Sequence, residues 1–365
     1  MTAKTDQIDF RTLHELVAPA RKKLKPETWD YLMGGGDTET TLARNRLVID
    51  QIALKPRVLR DVGRVSARGK LLGHETRLPV ILAPIGSLQD LAAEGGLVPA
   101  RAAAAFGVMH MLSSVCQPGA EAVAKAVPKS HPKLYQLYVR GDADWVDDMI
   151  AKAIAAGYCG IALTVDLDYY GRRERDIAKR YTPTARITDG AGDPWQAKFT
   201  WQDITRIRKK CKVPLMLKGI STAEDARLCL DHGIDVVYVS NHGGRQLDHG
   251  RGSLAELPEV MEAVRGKAEV IVDGGFMRGT DIIKALALGA SAVGLGRLQG
   301  LALAAGGEAG VVRMLEIIED EMRRALGLLG VTSVDELEPA CLAPALPVPR
   351  DSWLDSAFPL LKEGY

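Results

Sequence analysis

The stretch VVYVSNHGGRQLD, residues 236–248, opens as a buried strand and closes as something else. Val236, Val237, Tyr238 and Val239 are β-branched or aromatic, the types that fill a strand covered on both faces. Ser240, Asn241 and His242 follow at once, then two glycines and Arg245. Downstream, SLAELPEVMEAVRG (253–266) carries apolar residues at the i, i+3, i+4, i+7 spacing of a helix with one buried face. A second apolar run, EVIVDGG (269–275), then leads into the helical pattern TDIIKALALG (280–289) and the run AVGLGR (292–297). A strand, a polar turn and a helix, repeated, describe a parallel sheet whose crossover connections are helices.

Toward the N-terminus the same unit recurs from about residue 79. PVILAP (79–84), VMHML (108–112), KLYQLYV (133–139), GIALTVD (160–166) and PLMLKGI (214–220) read as strands. ADWVDDMIAKAIAAG (143–157) and TAEDARLCLDHG (222–233) read as intervening helices, the second capped by Ser221 or Thr222. Eight such units predict a closed (β/α)8 TIM barrel over 79–330, with an open doubly wound sheet as the alternative. Residues 1–78 form an N-terminal helical extension: helices near 9–22 and 26–33, the turn MGGGDT, and a lead-in that caps the barrel. Residues 167–199, after the fourth strand, are the longest connection without periodicity and are placed as a lid or substrate loop. The Pro-rich tail 331–365 is expected to wrap the surface.

Composition narrows the function classes. The 47 basic and 46 acidic residues leave a net charge of +1, so no nucleic-acid or membrane-surface partner is indicated. The polar start MTAKTDQIDF has no signal-peptide core, and no run approaches the ~18 apolar residues of a membrane span. Five cysteines at 116, 159, 211, 229 and 341 form no C-x-x-C pair and read as reduced thiols of a cytoplasmic protein. No His, Cys and carboxylate spacing suits a metal, and no G-x-G-x-x-G follows the first strand.

In such barrels chemistry is built where the strands end. Here the ends carry Pro84, Ile85, Gly86 and Ser87; Ser113; Gln136 and Tyr138; Thr164 and Asp166; Lys218; Ser240, Asn241 and His242; Asp273, Gly274 and Gly275; Gly296 and Arg297. Any one of these is usually a satisfied core polar group; all eight ends together describe a pocket for a polar ligand. Two glycine-rich turns, after strands 7 and 8, with Arg297 between cavity and helix, suit a phosphate, although either turn alone reads as a tight connection. Lys218 provides a fixed cation, for a flavin ring or for an ion pair with Asp273 or Asp166; Schiff-base chemistry is a third reading, disfavoured because nothing else resembles a pyridoxal or aldolase arrangement. His242 is a general-base candidate, with Asp166 to orient it. Arg245 and either Arg172 or Arg173 would clamp a substrate carboxylate, with Tyr31 and Tyr138 as hydrogen-bond donors.

These residues, in this order, resemble the FMN-dependent α-hydroxy acid oxidase and dehydrogenase family, which includes glycolate oxidase, lactate oxidase and mandelate dehydrogenase. SNHGGRQLD (240–248) carries most of the likeness, joined by YQLYV, LTVD, GRRERDI, LKGI and DGGFMRGTD. The resemblance implies a (β/α)8 barrel binding FMN and oxidising an (S)-2-hydroxy acid to the 2-oxo acid, with O2 or an electron carrier as acceptor, in a homotetramer. It implies His242 as the catalytic base with Asp166, Tyr138 and Arg245 in the catalytic group. Tyr31, Tyr138, Arg173, Arg245 and His242 fall on substrate positions. Pro84, Ile85, Gly86, Ser113, Gln136, Thr164, Lys218, Ser240, Asp273, Gly275, Gly296 and Arg297 fall on FMN positions. Where the family has an arginine after DGG this chain has Met277, so Arg278 or a backbone amide is expected to take over that phosphate contact. Gly86 is expected to leave room beside the flavin, making oxygen access plausible, while Val115 and Tyr170 alter the side-chain pocket. An isopentenyl diphosphate isomerase-like flavin barrel, and a barrel that binds FMN or phosphate without turnover, are the competing readings; the paired arginines beside His242 argue against both.

Overall fold

A computed structural model describes residues 9–187 and 194–365. Eight strands close into a parallel barrel: β1 Val80–Leu82, β2 Met109–Ser113, β3 Leu134–Leu137, β4 Gly160–Thr164, β5 Leu215–Ile220, β6 Val236–Val239, β7 Glu269–Asp273 and β8 Ala292–Leu295, with β8 hydrogen-bonded to β1. Alternation within each apolar run divides it between two cores. Ile81, Met109, Met111, Tyr238 and Ile271 fill the barrel interior, while Val80, Leu82, Val237, Val239, Val270 and Val272 meet the surrounding helices. Burial on both faces is why these strands read as continuous hydrophobic runs. Each such side chain contributes roughly 1.5–3 kcal/mol on leaving water.

Helix starts follow local chemistry. Asp142 accepts from Trp145 N (2.9 Å) to cap Ala143–Ala155, and Thr222 accepts from Asp225 N (3.2 Å) to cap Ala223–Asp231, which decides between Ser221 and Thr222. The long helix Arg297–Leu329 breaks its helical geometry at Gly307.

The lead-in differs from its sequence reading. The expected first helix is a 3-10 turn, Leu13–Leu16, running into Val17–Lys23, and Pro26–Met33 forms as expected. A further helix, Thr40–Asp50, lies against the sixth and seventh strand ends. A hairpin, Gly69–Leu71 with His74–Thr76, inserts Leu71 into the interior cluster and plugs the barrel's lower end. The tail pairs Leu342–Pro344 with Ile52–Leu54 and ends in a short helix, Trp353–Ala357, packed on Thr40–Asp50. The long connection after β4 contains short helices at Glu174–Ala178 and Thr184–Ile187; its residues 188–193 lie outside the described part.

Candidate active site

The upper strand ends surround a cavity of about 400 Å³. The opening stretch of sequence explains itself here. Beyond Val239 the chain turns through three consecutive left-handed residues: His242 (φ 58°), Gly243 (66°) and Gly244 (74°). A side chain at Gly244 would place Cβ 2.5 Å from Leu42 N, so the second glycine is required by the helix Thr40–Asp50 beside it. The strained backbone at His242 is held by its own amide, which donates to Ser240 Oγ (3.0 Å), and by Asn241, whose side-chain amide pairs reciprocally with Asn45 (2.8 and 2.9 Å).

That turn aims the imidazole into the cavity. His242 Nδ1 lies 3.0 Å from Asp166 Oδ1 and Nε2 lies 3.3 Å from Tyr138 OH. Asp166 reaches it because Gly219 forms an irregularity in β5 with φ 115°; a Cβ there would sit 2.6 Å from that of Asp166. Burial lowers the pKa of His242 and Asp166 works against it, so the ring is neutral at pH 7 and able to take a proton. Asp166 titrates below the usual carboxylate range: His242 and then Lys218 outweigh its desolvation. Burial holds the Tyr138 and Tyr31 phenols far toward the protonated form.

Of the two candidate arginines, Arg173 lines the cavity and Arg172 is exposed, paired with Glu174 at 2.7 Å. Arg173 stacks on Tyr170 (4.1 Å), bonds its hydroxyl, and leaves Nε buried without a partner. Burial and the like charge of Arg245 push its pKa down to about 10. Arg245 lies over Tyr31 (4.9 Å) and donates to Tyr31 O (2.6 Å) and Gly34 O (3.0 Å). Among the described residues neither arginine makes an ion pair; Asp176 bears on both electrostatically without bonding either. The pair, Arg173 buried and Arg245 half-buried, forms a cationic slot beside a neutral base.

The remaining positions fall into two groups. Pro84, Ile85, Gly86, Lys218, Asp273, Gly275, Gly296 and Arg297 line the cavity. Ser113, Gln136, Thr164 and Ser240 are buried at the strand ends behind its wall. Lys218 Nζ donates to Ser240 Oγ (2.9 Å) and lies 3.4 Å from Asp273 Oδ2, so its ion-pair partner is Asp273. Gln136 Nε2 donates to Thr164 Oγ1 (2.8 Å), leaving Gln136 Oε1 buried without a donor. Arg297 donates to Gly243 O (2.8 Å) and Gly34 O (2.6 Å), with Nε buried and unpartnered. Burial, and then Arg245, push its pKa down to about 9.

Two expectations are corrected. Arg278 does not line the cavity: its guanidinium pairs with Glu321 of the helix Arg297–Leu329, whose carboxylate also accepts from Gly279 N (2.7 Å). The half-buried Glu321 carboxylate holds Arg278 outside the cavity, and Met277 takes the wall instead. Gly86 does not leave spare room, because a Cβ there would meet Val115 Cγ2 at 2.9 Å and Ala185 Cβ at 3.3 Å. The space is already filled by the valine and by the connection after β4.

That connection supplies residues the sequence reading did not single out. Asp90 accepts from Thr184 N (3.1 Å), Thr184 Oγ1 (2.5 Å) and Tyr181 OH (2.9 Å), and Ser87 Oγ accepts from Ala185 N (2.7 Å). Gln196 bridges β3 and β4, accepting from Val139 N and donating to Thr164 O, both at 2.9 Å. The segment is fastened at both sides of the mouth, and no local pattern in its sequence announces it. Arg46, in the helix Thr40–Asp50, was missed too; it donates to Gly275 O (3.3 Å) from behind the seventh-strand turn.

The family model described as FMN-dependent dehydrogenase matches residues 20–344. The chain belongs to the FMN-dependent dehydrogenase family. Among curated relatives of this flavoenzyme, an L-lactate oxidase of Nostoc sp. is 36% identical, over 94% of this chain and all of the relative. A glycolate oxidase of Spinacia oleracea is 36% identical, covering 92% of this chain and 96% of its own. A solved mandelate oxidase superposes with a TM-score of 0.85 at 36% identity, over 93% of this chain and all of that one. An (S)-mandelate dehydrogenase chimera does so at 0.85 and 33%, over 91% and 99%. The residues present fit FMN: the orphaned acceptor at Gln136 suits a flavin amide edge, the unpartnered Nε of Arg297 suits a phosphate, and Lys218 lines the same cavity as Arg297.

Proposed function

We propose that this FMN-dependent dehydrogenase oxidises an (S)-2-hydroxy acid to the 2-oxo acid. The observation that carries the reading is the pair Arg173 and Arg245, neither in an ion pair among the described residues, facing the same cavity as a neutral, carboxylate-backed imidazole. A substrate carboxylate between the arginines supplies the missing charge and brings the adjacent C–OH to His242. When bound, FMN supplies the two-electron acceptor, held by Lys218, Gln136, Thr164, Ser240, Asp273 and the turns ending in Gly275 and Arg297. His242 Nε2 takes a substrate proton, and Asp166 stabilises the imidazolium that results. Tyr138 and Tyr31, kept protonated by burial, donate hydrogen bonds to substrate oxygens. We place the protein in the cytoplasm as a homotetramer, with O2 or an electron carrier completing the cycle.

The test is anaerobic mixing of purified protein with 2-hydroxy acids from glycolate to mandelate, following flavin absorbance. Bleaching by one acid supports the reading and reveals the side chain preferred; admitting air then shows whether oxygen restores the colour. Bound flavin that no 2-hydroxy acid bleaches would sink it. His242→Ala is expected to keep the flavin and lose its reduction.

A further inference from the structure

The family match ends at residue 344, yet the chain continues to Tyr365 as ordered structure. Ser352 caps the short helix Trp353–Ala357 by accepting from Asp355 N (3.1 Å), and Phe358 is wholly buried, edge-on to His14 at 5.7 Å. This tail is therefore docked, and two of its side chains reach the elements that shape the phosphate-facing turns. The Trp353 ring lies 5.7 Å from the guanidinium carbon of Arg297, the cation whose Nε is buried without a partner. The Ser356 hydroxyl donates to Asp50, which accepts from Arg46 Nε (3.0 Å). Arg46 in turn donates to Gly275 O (3.3 Å) and pairs with Asp281 (2.6 Å), and Asp281 accepts from Met277 N (2.9 Å).

We propose that residues 345–365 form a clasp that sets how tightly FMN is retained, with Trp353 as a positioning residue for Arg297 and Ser356 steadying the Asp50–Arg46–Asp281 chain behind the seventh-strand turn. The proposal rests on FMN occupying the cavity. An indole face beside a desolvated guanidinium favours the charged form and restricts its orientation. The tail therefore acts on the phosphate end of the cofactor and leaves the ring end alone. Losing the contact corresponds to about a 2- to 30-fold weakening of a ligand that depends on that arginine.

The experiment titrates flavin-free full-length protein with FMN and, separately, with riboflavin, reading quenching of flavin fluorescence, alongside the thermal midpoint of the flavin-free protein. Trp353→Ala is expected to raise the FMN dissociation constant by about 2- to 30-fold while leaving that of riboflavin unchanged, and Trp353→Phe to restore most of the loss. Ser356→Ala is expected to weaken FMN selectively as well. An unchanged FMN constant, or equal losses for FMN and riboflavin, would overturn the clasp and leave the tail a merely structural support. Should Trp353→Ala fail to fold, Trp353→Leu, which keeps apolar bulk without a π face, carries the same comparison. A wild-type protein that takes up neither flavin would instead overturn the assignment of the cavity, and the clasp with it.

Discussion

Asp166→Asn isolates the electrostatic part of the proposed proton transfer. The two side chains are nearly isosteric, so packing against Gly219 and the position of His242 are kept. What disappears is a carboxylate 3.0 Å from Nδ1, in a pair whose side chains are only 16% and 12% exposed. A hydrogen bond to a charged group is worth about 1.5–3 kcal/mol, and it strengthens as the imidazolium forms. The transition state therefore loses about 1.5–3 kcal/mol, a slowing of flavin reduction of about 10- to 150-fold. The pH dependence has a definite sign. His242 must be neutral to act, so the rate rises with pH through its pKa. Asp166 raises that pKa against the lowering effect of burial. Its removal moves the acid limb to lower pH. The assay is anaerobic stopped-flow of the flavin absorbance across pH. A rate within twofold of wild type, with an unmoved acid limb, would refute the role assigned to the pair.

Further outcomes follow from the same geometry. Arg173→Lys keeps the charge but loses the planar fork stacked on Tyr170; KM for the best 2-hydroxy acid should rise at least about tenfold, and an unchanged KM would remove Arg173 from the clamp. Gly86→Ala drives a methyl into Val115 and should cost about 1–3 kcal/mol of stability by overpacking, relieved in the double variant with Val115→Ala; a thermal midpoint that the second change fails to recover counts against this. Asp281→Asn breaks a buried ion pair with Arg46 and should destabilise by about 3–5 kcal/mol in denaturant titration. Because folding depresses the Asp281 pKa, its contribution is complete above the unfolded carboxylate range and is lost as pH falls through the folded value, so wild type and variant should converge in acid. Asp90→Ala should accelerate amide exchange at Thr184, whose N–H it accepts; unchanged protection would show the segment is held by other contacts.

The barrel was legible because its strands are buried on both faces and its helices on one, so each period survives in sequence. The helix Thr40–Asp50 was not, although it too buries one face. Its inward positions are Thr41, Leu42, Asn45, Arg46 and Ile49, so the periodicity is present but written largely in polar residues, and an apolar template passes over it. Polar residues at the strand ends could be grouped from sequence because the fold gathers those ends around one cavity. Arg278 was misplaced for the opposite reason: its partner Glu321 lies 43 positions away, and adjacency to Met277 says nothing of that competition. The choice between Arg172 and Arg173, like the fastening at Asp90 and Gln196, depends on which way a loop side chain faces, which short-range sequence does not encode.

The hairpin that plugs the lower barrel also governs traffic. With Leu71 seated among Ile81, Met109, Met111, Leu134 and Ile271, the interior is packed below the strand ends. Hydroxy acid, keto acid and, where O2 is the acceptor, the oxidant must then pass the same rim, one after another. Such an arrangement makes the two half-reactions share an entrance: the acceptor waits for the oxidised product to depart or slips past it, and a crowd of unreacted substrate at the rim obstructs both.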